Sequence, residues 1–330
     1  MECRDRVLVR LPNWLGDSLM ARPLLLALRR GLPRAEITAV GPAGLLQLLA
    51  GDRAFDRAFA LPLGAEASAA LRTAAFGTAY VLPPSFSSAW QAWRSGARER
   101  IGFAGDWRDA LLTRAVRRGA RGDLHLSREY LALGEAGGIP ADGHAVPALP
   151  VECEPFEALR RLTAGAGYAV LAPGALYGPA KRWPLARFVE LGRDLAVRGL
   201  RVVACGGAAE SADCAALAAA TGGESLAGLT NLMQQAAICA GAAVVVSNDS
   251  GMAHLAGAAG APTVAVFGST SSAWTAPLGP RVRVVQRPTV CSPCFQRTCR
   301  IGYACLENVG VRAVREAIEE LGALRREGIA

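Results

Sequence analysis

Residues 244–254 read Val-Val-Val-Ser-Asn-Asp-Ser-Gly-Met-Ala-His, a strand-like run that turns at once into a helix. Such a turn can present the backbone N–H groups of Ser250 and Gly251 to an anion. His254 falls one turn further on, on the face of Ser250. The same spacing also suits Asp249 as a plain helix cap and His254 as a core residue. A second loop, Pro173–Pro184, follows another strand and contains Gly174, Lys181, Arg182 and Trp183. Lys181 can meet a phosphate as a point charge and Arg182 as a fork; an exposed basic loop would look alike. No G-x-x-x-x-G-K-[ST] occurs, so neither loop is a Walker A. In a third loop, Asn13-Trp14-Leu15-Gly16-Asp17, the Asp17 carboxylate could take a proton from a hydroxyl or simply cap the next helix.

Two further segments bear on chemistry. Residues 80–89 form a Pro-stiffened polar loop with Ser85 and Ser87, followed by Arg94, Arg98, Arg100, Arg108, Arg114, Arg117, Arg118 and Arg121. That basic stretch suits a phosphorylated lipid, a membrane surface or a solvated helix face. Cys291, Cys294, Cys299 and Cys305 lie in a short Pro- and Gly-bearing stretch, which is suggestive of a structural zinc site. Their spacing is not that of a standard zinc ribbon, and four reduced thiols are the other reading.

These loops need elements to hold them. Strands are predicted at Arg6–Leu11, Glu36–Gly41, Thr78–Leu82, Tyr168–Ala172, Leu200–Cys205, Ala242–Ser247 and Thr263–Phe267. Helices are predicted at Ser18–Gly31, Leu45–Ala50, Asp106–Arg118, Leu126–Ala136, Leu185–Arg198, Ala209–Thr221, Gly251–Ala259 and Val311–Glu327. Residues 137–154 carry Pro140, Pro147 and Pro150 without periodicity and read as a linker. Strand–helix alternation on either side predicts an α/β chain of two Rossmann-like domains, 1–150 and 151–330, with parallel sheets facing a central cleft. The last helix is expected to close the chain, with the option of packing back on the first domain.

The 330 residues suffice for two domains, and 52% hydrophobic content excludes a disordered chain. No run of about 18 apolar residues occurs. The first residues do not read as a signal peptide, so a cytoplasmic protein is expected. A net charge of +8 points to an anionic partner, although an Arg- and Ala-rich composition accounts for it equally. Few aromatics accompany the basic residues, which argues against nucleic acid. Nine Cys in such a chain should be mostly thiols.

Taken together, Gly16-Asp17, residues 178–184, Asn248–Gly251 with His254, and Tyr80–Ala89 resemble the ADP-heptose:lipopolysaccharide heptosyltransferases of glycosyltransferase family 9. The 178–184 and 80–89 segments are similar to the type II branch. The resemblance covers nearly the whole chain and implies the GT-B architecture. It implies inverting transfer of heptose from ADP-heptose to a heptosyl-Kdo2-lipid A acceptor, with peripheral contact to the cytoplasmic face of the inner membrane. By resemblance, Asp17 would be the general base and Lys181 would balance charge on departing ADP. Gly174, Arg182, Trp183, Asp249, Ser250, Gly251 and His254 would hold the donor, with Glu210 near the ribose. Asn13, Trp14, Ser85 and Ser87 would meet the acceptor. No D-x-D pair is present, so no cofactor is expected for catalysis. A type I heptosyltransferase, a GT-B-fold epimerase or hydrolase, and a non-enzymatic metal- or nucleic-acid-binding protein are the competing readings.

Overall fold

The computed structural model describes residues 6–140, 146–165 and 167–323. The chain divides into two compact units, Met1–Val146 and Pro147–Ala330.

In the first unit, strands β1 (Arg6–Arg10), β2 (Glu36–Pro42), β3 (Arg57–Leu61), β4 (Thr78–Val81), β5 (Glu99–Phe103) and β6 (Arg114–Val116) form one sheet. Its order is β3-β2-β1-β4-β5-β6 and every pairing is parallel. Helices α1 (Leu15–Met20), α2 (Arg22–Gly31), α3 (Ala43–Leu49), α4 (Ala65–Thr73), α5 (Phe86–Arg94) and α6 (Leu126–Ala136) connect or cover it.

The second unit contains α7 (Glu157–Thr163), β7 (Tyr168–Ala172), α8 (Leu185–Val197), β8 (Arg201–Ala204), α9 (Ser211–Thr221), β9 (Glu224–Ser225) and α10 (Leu232–Ala240). It continues with β10 (Val244–Asn248), α11 (Gly251–Ala258), β11 (Thr263–Phe267), α12 (Ser272–Thr275), β12 (Val282–Gln286), α13 (Ala304–Glu307) and α14 (Val311–Glu320). Its sheet, β12-β11-β10-β7-β8-β9, is again parallel throughout. The strands β7, β10 and β11 are buried along their whole length, as a sheet covered on both faces requires.

Each sheet winds outward in both directions from a central pair, β1/β4 in the first and β7/β10 in the second. At such a switch point the connections leave in opposite directions and open a crevice at the strands' carboxyl ends. Four of the loops singled out in the sequence leave from these four strands.

Two expectations for the elements are corrected. The helix expected over Ser18–Gly31 is two helices joined at Ala21, because Pro23 has no N–H to give to the preceding turn. The helix expected over Asp106–Arg118 is a single 3₁₀ turn at Asp109–Leu111 followed by β6. Left-handed Asp106 and Trp107 (φ 52° and 59°) rule out helix at its start. The final helix packs Val311, Val314, Ala317 and Ile318 into the second unit's core; residues 324–330 lie outside the described residues.

Candidate active site

The β7 and β10 loops meet through Asn248, the last residue of β10. Its buried amide donates from Nδ2 to the carbonyls of Pro173 (2.6 Å) and Gly174 (3.3 Å), while Oδ1 accepts from the Trp183 N–H (2.9 Å). One side chain thus fixes both ends of the basic loop against the strand. Trp183 is 1% exposed, and its indole donates to the carbonyl of Val309 and packs edge-on to Phe188. The expectation that Trp183 contacts the donor is therefore corrected: its side chain belongs to the core, where it anchors the loop.

That anchoring places Lys181 on Asp249. Nζ lies 2.6 Å from Oδ2, with side chains only 15% and 3% exposed. The Thr270 hydroxyl donates to the same oxygen at 2.5 Å. Lys181 also sits over the Tyr177 ring (4.8 Å), which Arg297 approaches at 5.4 Å, and the Tyr177 hydroxyl donates to the Phe295 carbonyl. Ser250 starts α11 with no side-chain cap, its hydroxyl 3.0 Å from that of Ser247. Gly251 follows and His254 is buried one turn on. Lys181, Asp249, Ser250 and Gly251 therefore gather at one switch point.

Glu210 joins them from the β8 connection. Its carboxylate accepts from the Gly207 N–H at 2.8 Å. A Cβ on Gly174 would come within 1.8 Å of Glu210 Oε1, so only glycine lets this carboxylate lie over the loop. Gly178, at φ 150°, likewise has the Arg297 carbonyl where a side chain would begin. Arg182 turns away from this group: it is exposed and 3.6 Å from Asp213.

The first unit presents a second set. Arg10, at the end of β1, donates to Gln91 Oε1 on α5 (2.9 Å), to Asn13 Oδ1 (2.8 Å) and to the Leu11 carbonyl. Burial lowers its pKa to about 10. It ties the Asn13–Asp17 loop to the helix that follows β4. Asp17 lies in α1 and is partly exposed. Burial, and then the Asp17 charge, push the Tyr130 phenol well above its usual range. Trp14 caps α1 and is 64% exposed. Ser85 caps α5, accepting from the Ser88 N–H, with the Ser87 hydroxyl 3.2 Å away.

Half of the arginines near this loop have structural duties. Arg108 is buried and donates to the Pro83 carbonyl, and Arg100 donates to the Leu111 and Ala97 carbonyls. Arg114 pairs with Glu99, and Arg118 pairs with Glu129 while lying over Phe103. No sequence pattern marks Thr270, Arg10 or Gln91, whose contacts Thr270–Asp249 and Arg10–Gln91 join residues far apart in the chain.

Cys291, Cys294, Cys299 and Cys305 are all free thiols. Cys299 Sγ accepts the Ile301 and Tyr303 N–H groups at 3.4 and 3.3 Å, which lowers its pKa. Burial raises that of Cys305, helped by the charges of Cys294, Cys291 and Cys299. The four are neighbours, yet among the described residues no three His, Cys, Asp or Glu side chains converge as metal ligands would. Four thiols suit zinc chemically, but the loop does not gather them. It braces the basic loop instead. Ala180 N–H donates to the Arg297 carbonyl (3.0 Å), and Phe295 N–H donates to that of Ser269 (2.8 Å).

Comparison with known proteins places the chain among relatives of one family. The model of glycosyltransferase family 9 (heptosyltransferase) matches residues 66–304. Lipopolysaccharide heptosyltransferase 2 of Escherichia coli K12 is 31% identical over 85% of this chain and 88% of its own length. Its Salmonella typhimurium counterpart is 30% identical over the same shares. The solved structure of E. coli ADP-heptose lps heptosyltransferase II superposes with a TM-score of 0.80 at 28% identity, covering 96% of this chain and 98% of that one.

Proposed function

Because the chain belongs to glycosyltransferase family 9, the heptosyltransferases, we propose that it moves L-glycero-D-manno-heptose from ADP-heptose to heptosyl-Kdo2-lipid A. The observation that carries the donor half of this reading is Lys181, held on Asp249 at a switch point beside the uncapped start of α11.

The bond from the anomeric carbon to the diphosphate oxygen breaks while one to the acceptor oxygen forms on the opposite face. Negative charge builds on departing ADP. A fixed ammonium and the first N–H groups of α11 are the right groups to stabilise it. Asp249 holds Lys181 in place, Ser250, Gly251 and His254 shape the diphosphate and sugar end, and Glu210 takes the ribose. Arg182 contributes only if it leaves Asp213. The acceptor hydroxyl loses its proton to Asp17, and Asn13, Trp14, Ser85 and Ser87 orient the acceptor. No metal is assigned to this chemistry, since Lys181 and the helix start supply positive charge. The enzyme would work at the cytoplasmic face of the inner membrane, where a lipid-linked acceptor and a nucleotide-activated donor can meet.

The test is ADP release and product mass with ADP-heptose and either Kdo2-lipid A or the same lipid carrying one heptose. Transfer to the heptosylated lipid alone is expected, undiminished by chelation of divalent ions. Asp17→Ala should lose about 10²–10⁴-fold in kcat, and Lys181→Ala about 10²–10³-fold. Silence of folded protein with both acceptors would overturn the assignment, and ADP release without an acceptor would favour a hydrolase or epimerase.

A further inference from the structure

We propose that the outer face of α5 docks the first unit onto an anionic lipid bilayer, beside the loop that receives the acceptor. This rests on the lipid-borne acceptor proposed above. Phe86, Trp90 and Trp93 recur at helical spacing on one face and stack in a row, with centroids 6.4 and 4.8 Å apart. They are 48%, 42% and 47% exposed, while Ser88, Ala89 and Ala92 bury the opposite face. The helix thus buries small residues on one side and exposes three aromatic rings on the other.

Its surroundings select the occupant. Arg94 and Arg98 lie beside the row, exposed and without a carboxylate partner among the described residues. Two neighbouring connections add indoles: Trp14 after β1 and Trp107 after β5, the latter 94% exposed. Arg10 ties the first of these connections to Gln91 of α5, and Arg108 ties the second to the Pro83 carbonyl. Trp14, Phe86 and Trp107 therefore follow the carboxyl ends of β1, β4 and β5, and Trp90 and Trp93 continue the row along α5 towards Arg94 and the start of β5. Aromatic rings at the surface favour the headgroup layer over either water or hydrocarbon. Adjacent arginines complement anionic headgroups.

Flotation of the full chain with phosphatidylcholine vesicles, with and without phosphatidylglycerol, tests this. Binding to the anionic vesicles that weakens with salt is expected. Trp90→Ser/Trp93→Ser should lower it at least about tenfold through lost aromatic burial. Arg94→Ser/Arg98→Ser should lower it roughly tenfold on anionic vesicles only. Both variants should transfer heptose normally to a delipidated acceptor. Absence of vesicle binding, or binding untouched by the tryptophan changes, would overturn the proposal. So would a raised KM for the delipidated acceptor, which would make the row a sugar platform, or a wild-type dimer dissolved by the same changes. Vesicle binding needs no donor, so a chain that binds through α5 yet transfers nothing would refute the reaction and leave this surface standing.

Discussion

At the scale of single residues, the proposed donor site turns on one carboxylate oxygen. Asp249 Oδ2 receives both the Lys181 ammonium and the Thr270 hydroxyl. Removing a hydrogen bond to a charged group costs about 1.5–3 kcal/mol. Thr270→Val should therefore lower kcat/KM for ADP-heptose at least about tenfold, with Thr270→Ser restoring most of it. Steady-state kinetics on both variants would check this, and a fully active Thr270→Val would show that the hydroxyl is idle. Lys181 and Asp249 stood out in the sequence because cations, carboxylates and glycines crowd the ends of recognisable strands, whereas Glu210 came only from the family resemblance. Thr270 did not stand out, since it acts across 21 residues of chain through a single contact. Trp183 entered the donor set only through the family resemblance, and the tertiary fold shows its indole N–H going to the Val309 carbonyl.

At the scale of elements, the connections are held by buried polar ties as much as by apolar packing. Arg22 at the start of α2 makes a two-pronged pair with Asp52 after α3, both bonds 2.7 Å and both side chains 2% exposed. Arg22→Ala would strand a buried carboxylate, at a cost of about 3–5 kcal/mol. Chemical denaturation should record that loss; a change below about 1 kcal/mol would mean that water reaches Asp52 at little cost. Most strands and helices were legible from periodicity. Among those missed, β3 is largely exposed, β6 spans three residues, and α5 carries exposed aromatics where polar residues would mark a solvent face.

At the scale of the whole molecule, two parallel sheets with the same winding were legible as alternation on either side of a Pro-rich stretch. The status of the four-cysteine loop was not, because spacing gives ligand types and not their convergence. Elemental analysis of protein purified without chelators should decide between a staple and a set of thiols. About one zinc per chain would mean that the loop closes further on its ion, and trace metal with four titratable thiols would leave hydrogen bonds alone to hold it.

The placement of the tryptophans has a consequence for optical work on this protein. Of six, Trp14, Trp90, Trp93 and Trp107 are exposed and lie in the first unit, whereas Trp183 is sealed in the second. Emission from the first four should respond to whatever covers the acceptor side and be open to aqueous quenchers. Trp183 should emit at shorter wavelength, resist those quenchers and move to the red only when the second unit loses its core. Trp274, half-buried against Phe295 in the second unit, is the sixth; with Trp183→Phe and Trp274→Phe to isolate the exposed set, the chain carries its own reporters, and events at the first unit can be followed apart from unfolding of the second without any attached dye.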